Sequence, residues 1–400
     1  MEQLLARLLS NERIRAARHH LERTDEVMLA RQGALSAIPA PTGAESRRAA
    51  YVAELFREVG LRDVSIDEVS NVHGWCGARR DGNAPPVVLD AHLDTVFGPE
   101  VDVTVERRGR RLEGPGISDN ARGIAALVAV AEALVSARVA SARPILFAAT
   151  VGEEGSGDLR GVKHLLNGGG AQQAAAFIAL DGAGMERVVH RALGSKRYRV
   201  TYRGPGGHSW SAFGVANPAN AVGRAAALLA DLPAAAEPRS TCAVVRLGGG
   251  TGLNSIPQEA WLDLDLRSED SQSLAQLDAT VQTALARALE DENRRRAAGT
   301  AALGIELQLL GDRPSGITPR SHPLVRAAVA ATRALGRECE LASASTDANV
   351  PIALGIPAIA LGAGGEAGDA HLTTEWYENT DGALGVVRAL LVTAAMAEVV

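Results

Sequence analysis

The chain has 400 residues, a formal charge of −6, and 46% hydrophobic and 22% charged residues. That length exceeds what one hydrophobic core usually serves and predicts two domains. So small a net charge gives no reason to expect nucleic acid as a partner, and no run approaches the roughly 18 consecutive apolar residues of a membrane span.

Leu, Ala, Arg and Glu at helical spacing predict helices over the first 36 residues. The start, Met1-Glu2-Gln3-Leu4-Leu5-Ala6-Arg7, lacks the apolar stretch of a signal peptide. Three scattered cysteines, Cys76, Cys242 and Cys339, suggest no disulfide framework and no Cys-x-x-Cys zinc pair. Both features predict a cytoplasmic protein with inert thiols. Ile38-Pro39-Ala40-Pro41-Thr42-Gly43 breaks the helices, and residues 44–59 resume them. Strands follow at 63–66 and 87–90, then a helix over 120–137 that Ser118-Asp119-Asn120 is suited to cap. The strand 144–151, the helix near 162–166 and the strand 176–180 continue an alternation that argues a helix-covered, mostly parallel sheet.

The pattern changes near residue 192. Residues 196–202 alternate like an edge strand and lead through Gly204-Pro205-Gly206-Gly207 into a helix at 218–230. Strands at 243–247 and 259–266, a helix at 274–296 and a strand at 304–310 complete a β-α-β-β-α-β order, the ferredoxin-like arrangement. From about Pro314 the helix–strand alternation resumes, with a strand at 358–361. The expected organisation is therefore an α/β domain over 1–191 and 314–400, carrying an inserted α+β domain over 192–313.

The candidate chemistry gathers at strand ends. His92, Glu153, Glu154 and Asp181 each stand at or just past the carboxyl end of a predicted strand, the edge where open α/β sheets bind ligands. Asp119 and His371 sit in loops able to lie over that edge. Singly, such residues are usually caps or hydrogen-bonded structural groups; their common position is what distinguishes them. One His and two carboxylates per ion, with a carboxylate shared, is the composition of a two-metal hydrolase. Imidazole and oxygen donors without thiolate suit zinc, with cobalt or manganese as substitutes. Neighbouring Glu153 and Glu154 point to opposite sides of an extended chain, which disfavours both binding one ion. Asp94, two residues after His92, points the same way and is placed to accept the second imidazole N–H.

His92-x-Asp94-Thr95, Gly114-x-Gly116-x-x-Asp119-Asn120, Gly152-Glu153-Glu154-Gly155 and the late His371 together resemble the zinc peptidase–deacylase family. That family includes peptidase T, carboxypeptidase G, acetylornithine deacetylase and succinyl-diaminopimelate desuccinylase. The resemblance runs from Ile38 to Trp376 and implies a zinc exopeptidase-like catalytic domain with an inserted lid and dimerisation domain. It implies that Asp119 bridges two zinc ions, one completed by His92 and Asp181, the other by Glu154 and His371. Glu153 would be the general base, and the peptide after Asp119 would be cis. Gly204-Pro205-Gly206-Gly207-His208-Ser209, Asn254-Ser255-Ile256-Pro257 and Asp263-Leu264-Asp265-Leu266-Arg267 resemble the family's dimerisation and substrate-binding elements. By that analogy His208 stabilises an oxyanion in the partner subunit's site, with Asn254 beside it. Arg267 and Arg313 would hold a substrate carboxylate, a task that suits the planar guanidinium, and Gly364 and Gly365 would offer backbone N–H groups nearby.

Hydrolysis of a small peptide is the expected reaction, favoured by the likeness of residues 152–161 and 311–314 to peptidase T and carboxypeptidase G and by Asp rather than Glu at 181. An N-acyl amino acid deacylase is the alternative. A catalytically silent homodimer that merely binds metal or peptide predicts damage at the base or ligand positions, and none is present.

Overall fold

The computed structural model describes residues 1–78, 84–168, 171–233 and 235–399. The chain divides into two compact units, Met1–Ala192 with Ile317–Val400, and Leu193–Gly316.

The first unit is built on a nine-stranded sheet. Four central strands run parallel in the order Pro144–Thr150, Val87–His92, Ala176–Leu180, Ala358–Leu361. Every residue of all four is buried, which explains their near-continuous apolar composition: helices cover both faces of a parallel sheet. One face packs Leu89, Ala91, Phe147 and Ile178 against the helices Ala121–Ser136 and Gly382–Met396 and the amino-terminal helices. The other packs Val88, Leu146, Phe177 and Ala360 against Arg160–Asn167 and the segment from Ala342 to Ile356. The parallel array places four carboxyl ends side by side, and that edge carries the site.

Several strands escape the sequence reading. Val72–Gly77 joins the sheet antiparallel to Pro144–Thr150; its glycines mask it, although Gly74 lies where a Cβ would meet the Leu61 side chain at 2.7 Å. Arg187–Ala192 and Glu340–Ala344 form a parallel pair beyond Ala358–Leu361. A separate antiparallel four-stranded sheet pairs Trp376–Glu378 with Arg111–Glu113 and with Glu366–Gly368.

In the second unit the strands lie in the order Arg239–Gly249, Glu259–Ser268, Gly194–Arg203, Gly304–Arg313, all antiparallel. With the helices Pro218–Ala230 and Ser271–Arg294 this is the ferredoxin-like order. The strand over 196–202 is not at an edge, as its alternation suggested; Gly194–Arg203 pairs on both sides. Alternation reports one-sided burial, here of Tyr198, Val200 and Tyr202 against the helices, and says nothing of strand position.

Candidate metal centre

His92 ends its strand, with Glu153 and Glu154 after the neighbouring strand on one side and Asp181 after the neighbour on the other. Asp119 precedes the helix Ala121–Ser136, whose cap is Asn120, and the Asp119–Asn120 peptide is cis. Asn120 fastens this loop to the sheet: its amide donates to the Leu180 carbonyl at 2.8 Å, and its Oδ1 accepts from Gly182 N–H at 3.1 Å and Gly123 N–H at 3.0 Å. His371 arrives from the turn 369–375, with Asp369 and His371 both in the left-handed region, at φ 58° and 68°. Such conformations cost about 1–3 kcal/mol and concentrate at functional sites.

These segments converge. His92 Nε2 lies 3.0 Å from Asp119 Oδ1 and 3.7 Å from Asp181 Oδ1. His371 Nε2 lies 3.3 Å from Asp119 Oδ2 and 3.1 Å from Glu154 Oε1. The two oxygens of Asp119 thus face two different imidazoles. One ligand atom each from His92, Asp119 and Glu154 fits within 4.8 Å of the others. Asp119 Oδ1 is buried without a well-directed hydrogen bond. Imidazole nitrogens and carboxylate oxygens facing one another, with no thiolate and an unsatisfied buried oxygen, fit divalent cations.

Asp94 organises the cluster differently from the sequence-based expectation. The second ring nitrogen of His92 lies 3.1 Å from the Asp94 backbone carbonyl, and the Asp94 carboxylate stands 3.6 Å away. That carboxylate instead accepts the backbone N–H groups of Glu153 and Glu154, both at 2.9 Å, and the Thr42 hydroxyl at 2.8 Å. It therefore fixes the turn that aims the two glutamates. The offer of Gly364 as a donor also fails, because its N–H goes to the Gly184 carbonyl at 3.0 Å.

The electrostatics follow the geometry. Burial depresses the His92 imidazole, but Asp119, Asp181 and Asp94 outweigh it and hold the ring proton well above its usual range. Asp119 and Glu154 push His371 up to about 10. Against its own burial, His371 and His92 hold Asp119 well below the ordinary carboxylate range. Burial likewise opposes Asp94, yet His92, the Glu154 N–H and Thr42 bring it down to about 2.

Three further acidic groups went unrecognised in the sequence. Beneath His92, Thr150 Oγ1 lies 2.8 Å from Asp90 Oδ1 and 3.0 Å from Asp347 Oδ2. Burial pushes Asp90 up to about 7 and Asp347 well above its usual value. A hydroxyl has one proton to donate, so a second carboxyl against the same oxygen must bring its own. The signal available was Asp90, a carboxylate inside an apolar strand at the same parity as His92. The other missed residue is Glu375, fully buried, whose oxygens accept the N–H groups of Gly116, Ser118 and Asp119 at 3.2, 2.7 and 2.8 Å.

A cavity of about 620 Å³ opens beside Asp119 and Asp181, lined by Gly182, Gly184, Arg187, Glu366 and Trp376 among others. A larger groove of about 850 Å³, between the first helix and Pro323–Ala334, holds none of these candidate residues. The remaining sequence candidates lie in the second unit. His208 is exposed on Gly207–His208, which pairs with Ser255–Ile256, and Ser209 N–H donates to the Asn254 carbonyl at 2.8 Å, making Asn254 a neighbour. Arg267 pairs with Asp265 at 2.9 Å, and Arg313 is 4% exposed.

A histidine–carboxylate cluster at the carboxyl edge of a parallel α/β sheet defines a metal-dependent hydrolase. Residues 88–397 match the family described as Peptidase family M20/M25/M40. The chain belongs to this family and is a metallopeptidase-type amide hydrolase. The fold is shared with aminopeptidase PepT from Bacillus cereus, at 20% identity and TM-score 0.73 over 93% of this chain and 99% of that one. A tripeptidase from Staphylococcus aureus gives 20% identity and TM-score 0.74 over 92% and 98%. The YXEP protein of Bacillus subtilis, described as a dinuclear metal binding peptidase, gives 14% and 0.67 over 94% and 98%. Among the described residues no helix is long and apolar enough to cross a membrane.

Proposed function

We propose that this chain is a di-zinc exopeptidase that cleaves an amide bond in small peptides bearing a free carboxylate. Cobalt or manganese would serve as substitute ions. The observation carrying the two-ion reading is Asp119, whose Oδ1 faces His92 and whose Oδ2 faces His371. His92, Asp181 and Asp119 would hold one ion, and Glu154, His371 and Asp119 the other. Cations held by these residues would supply Lewis acidity, lowering the pKa of a bound water and polarising the scissile carbonyl.

The protein's own groups do the rest. Glu154 faces His371, which leaves Glu153 as general base, taking the water's proton on its carboxylate and delivering it to the leaving amine. Burial of Glu153 and the tether from its N–H to Asp94 keep that carboxylate in one place. A cavity of about 620 Å³ beside Asp119 and Asp181 suits a di- or tripeptide. His208 and Asn254 are proposed to steady the oxyanion, and Arg267 and Arg313 the substrate carboxylate, with Arg267 the more open of the two.

A homodimer through the inserted unit is proposed as well, and Val245, Leu247, Leu307 and Leu309 exposed on its sheet support it. Sedimentation of the wild type and of Leu247→Glu tests this; a monomer with full turnover would remove the role of His208 in a partner's site.

Assaying di- and tripeptides beside N-acetyl amino acids tests the reaction. The neighbours described as an aminopeptidase and a tripeptidase favour the peptides. Faster turnover of the acylated substrates would replace the peptidase reading with the deacylase one.

A further inference from the structure

We infer that Glu375 is a positioning residue that sets the separation of Asp119 from His371, and through it the grip on the second of the two cations. The inference rests on the two-ion reading above.

The five ligands are anchored in unequal ways. His92, Asp181 and Glu154 ride on or next to strands of the main sheet, and the Glu154 N–H is tied to Asp94. Asp119 and His371 sit in loops. Asp119 is held from two directions. On one side Asn120 bonds to Leu180 and Gly182, the segment that carries Asp181. On the other, the Glu375 carboxylate collects the N–H groups of Gly116, Ser118 and Asp119 itself.

Glu375 also closes the turn bearing His371. Its own N–H donates to the Leu372 carbonyl at 3.0 Å, and Leu372 N–H donates to Asp369 at 2.9 Å. Its carbonyl accepts from Gly114 N–H at 2.8 Å, and the next residue, Trp376, pairs with Glu113 in the small antiparallel sheet. One buried residue therefore joins the Asp119 loop to the His371 turn by main chain and side chain together. A carboxylate receiving three backbone N–H groups makes charge-assisted bonds, stronger than neutral ones. Its removal leaves the Asn120 anchor intact. The His92–Asp181 side of Asp119 keeps its support, and the His371 side loses it.

The test is stepwise binding of Co²⁺ to chelator-stripped protein, by competition titration and by the Co²⁺ absorption spectrum, in wild type, Glu375→Gln and Glu375→Ala. Wild type should take up two ions. In the variants the first binding constant should stay within about threefold while the second weakens about 10–100-fold, the usual cost of losing a group that orients a ligand. Glu375→Gln retains the side-chain shape, so it decides the matter if the alanine variant does not fold. A merely structural role would weaken both steps alike or neither, and either result overturns the inference. Wild type binding a single ion would instead sink the two-ion reading, whatever the variants do.

Discussion

The two units put similar residues to different uses. In the first, each central strand is buried on both faces. In the second, helices cover one face of the sheet, and Val245, Leu247, Leu307 and Leu309 stand exposed. Charge follows the same division. The second unit sets ion pairs on the open sheet, as where Asp263 meets Arg199 at 2.8 Å and Arg246 at 2.7 Å, and others along its helices, as between Arg224 and Glu292 at 3.1 Å. The first concentrates its unusual charges at one edge, where strand ends give way to loops and buried carboxylates find imidazoles. Burial on both faces leaves the ends of a parallel sheet as the one place where polar side chains can gather, and ligands bind there.

The largest effects should come from that edge. Glu153→Gln removes the proposed proton acceptor and keeps the side-chain shape, so kcat should fall about 10²–10⁴-fold, with metal content and melting temperature unchanged. Steady-state kinetics on a metal-replete sample check it; undiminished turnover would eliminate Glu153 as the base.

Metal removal comes next in size. Ions bound only to the folded state contribute about 2.7 kcal/mol at a hundredfold excess over Kd, and a domain of this size shifts by about 2–4 °C per kcal/mol. Chelation should therefore lower the first unit's melting temperature by about 5–10 °C. The metal-free protein should also respond to pH with a definite sign. His371 is raised from 6.5 to about 10 by Asp119 and Glu154, so its contribution is fully present below about 6.5 and lost as pH rises toward 10. Calorimetry in chelator should find the first unit less stable at pH 9 than at pH 7. Cations compete with that ring proton, so their affinity should rise over the same interval. A chelated melting curve that matches the untreated one would contradict a cation-filled edge.

Much of this arrangement could be read before any coordinates. Runs such as Val87-Val88-Leu89 and Ile145-Leu146-Phe147 have the composition that only a doubly covered strand needs, and the residues after them fall at the carboxyl edge by construction. The ferredoxin-like order of the second unit was legible because its alternation is clean. Other features depend on long-range partners that no local pattern records. Val72–Gly77 is a strand because Pro144–Thr150 lies beside it. Asp94 looked like a partner for His92 from parity alone, yet two N–H groups some sixty positions away claim its carboxylate. Glu375 gives no sign in sequence that it supports Asp119, 256 positions earlier.

The contrast between the units can be sharpened by one substitution in each. Arg122 is fully buried in the first, its guanidinium donating to the Ala363 carbonyl at 2.7 Å and the Gly382 carbonyl at 2.8 Å and lying 5.0 Å from the Tyr377 ring centroid. Arg122→Met takes the charged donor from two buried carbonyls, at about 1–3 kcal/mol each, so urea unfolding should report a loss of about 3 kcal/mol. Leu247 in the second unit is 61% exposed, and Leu247→Ser should change stability by less than about 0.5 kcal/mol in a monomer. Measured across protein concentration, that small number becomes informative. A cost that grows as the protein is concentrated means that a second copy covers the open sheet, because only the associated species then loses apolar burial. A cost that stays small at every concentration means that the face is solvated and that no second copy covers it.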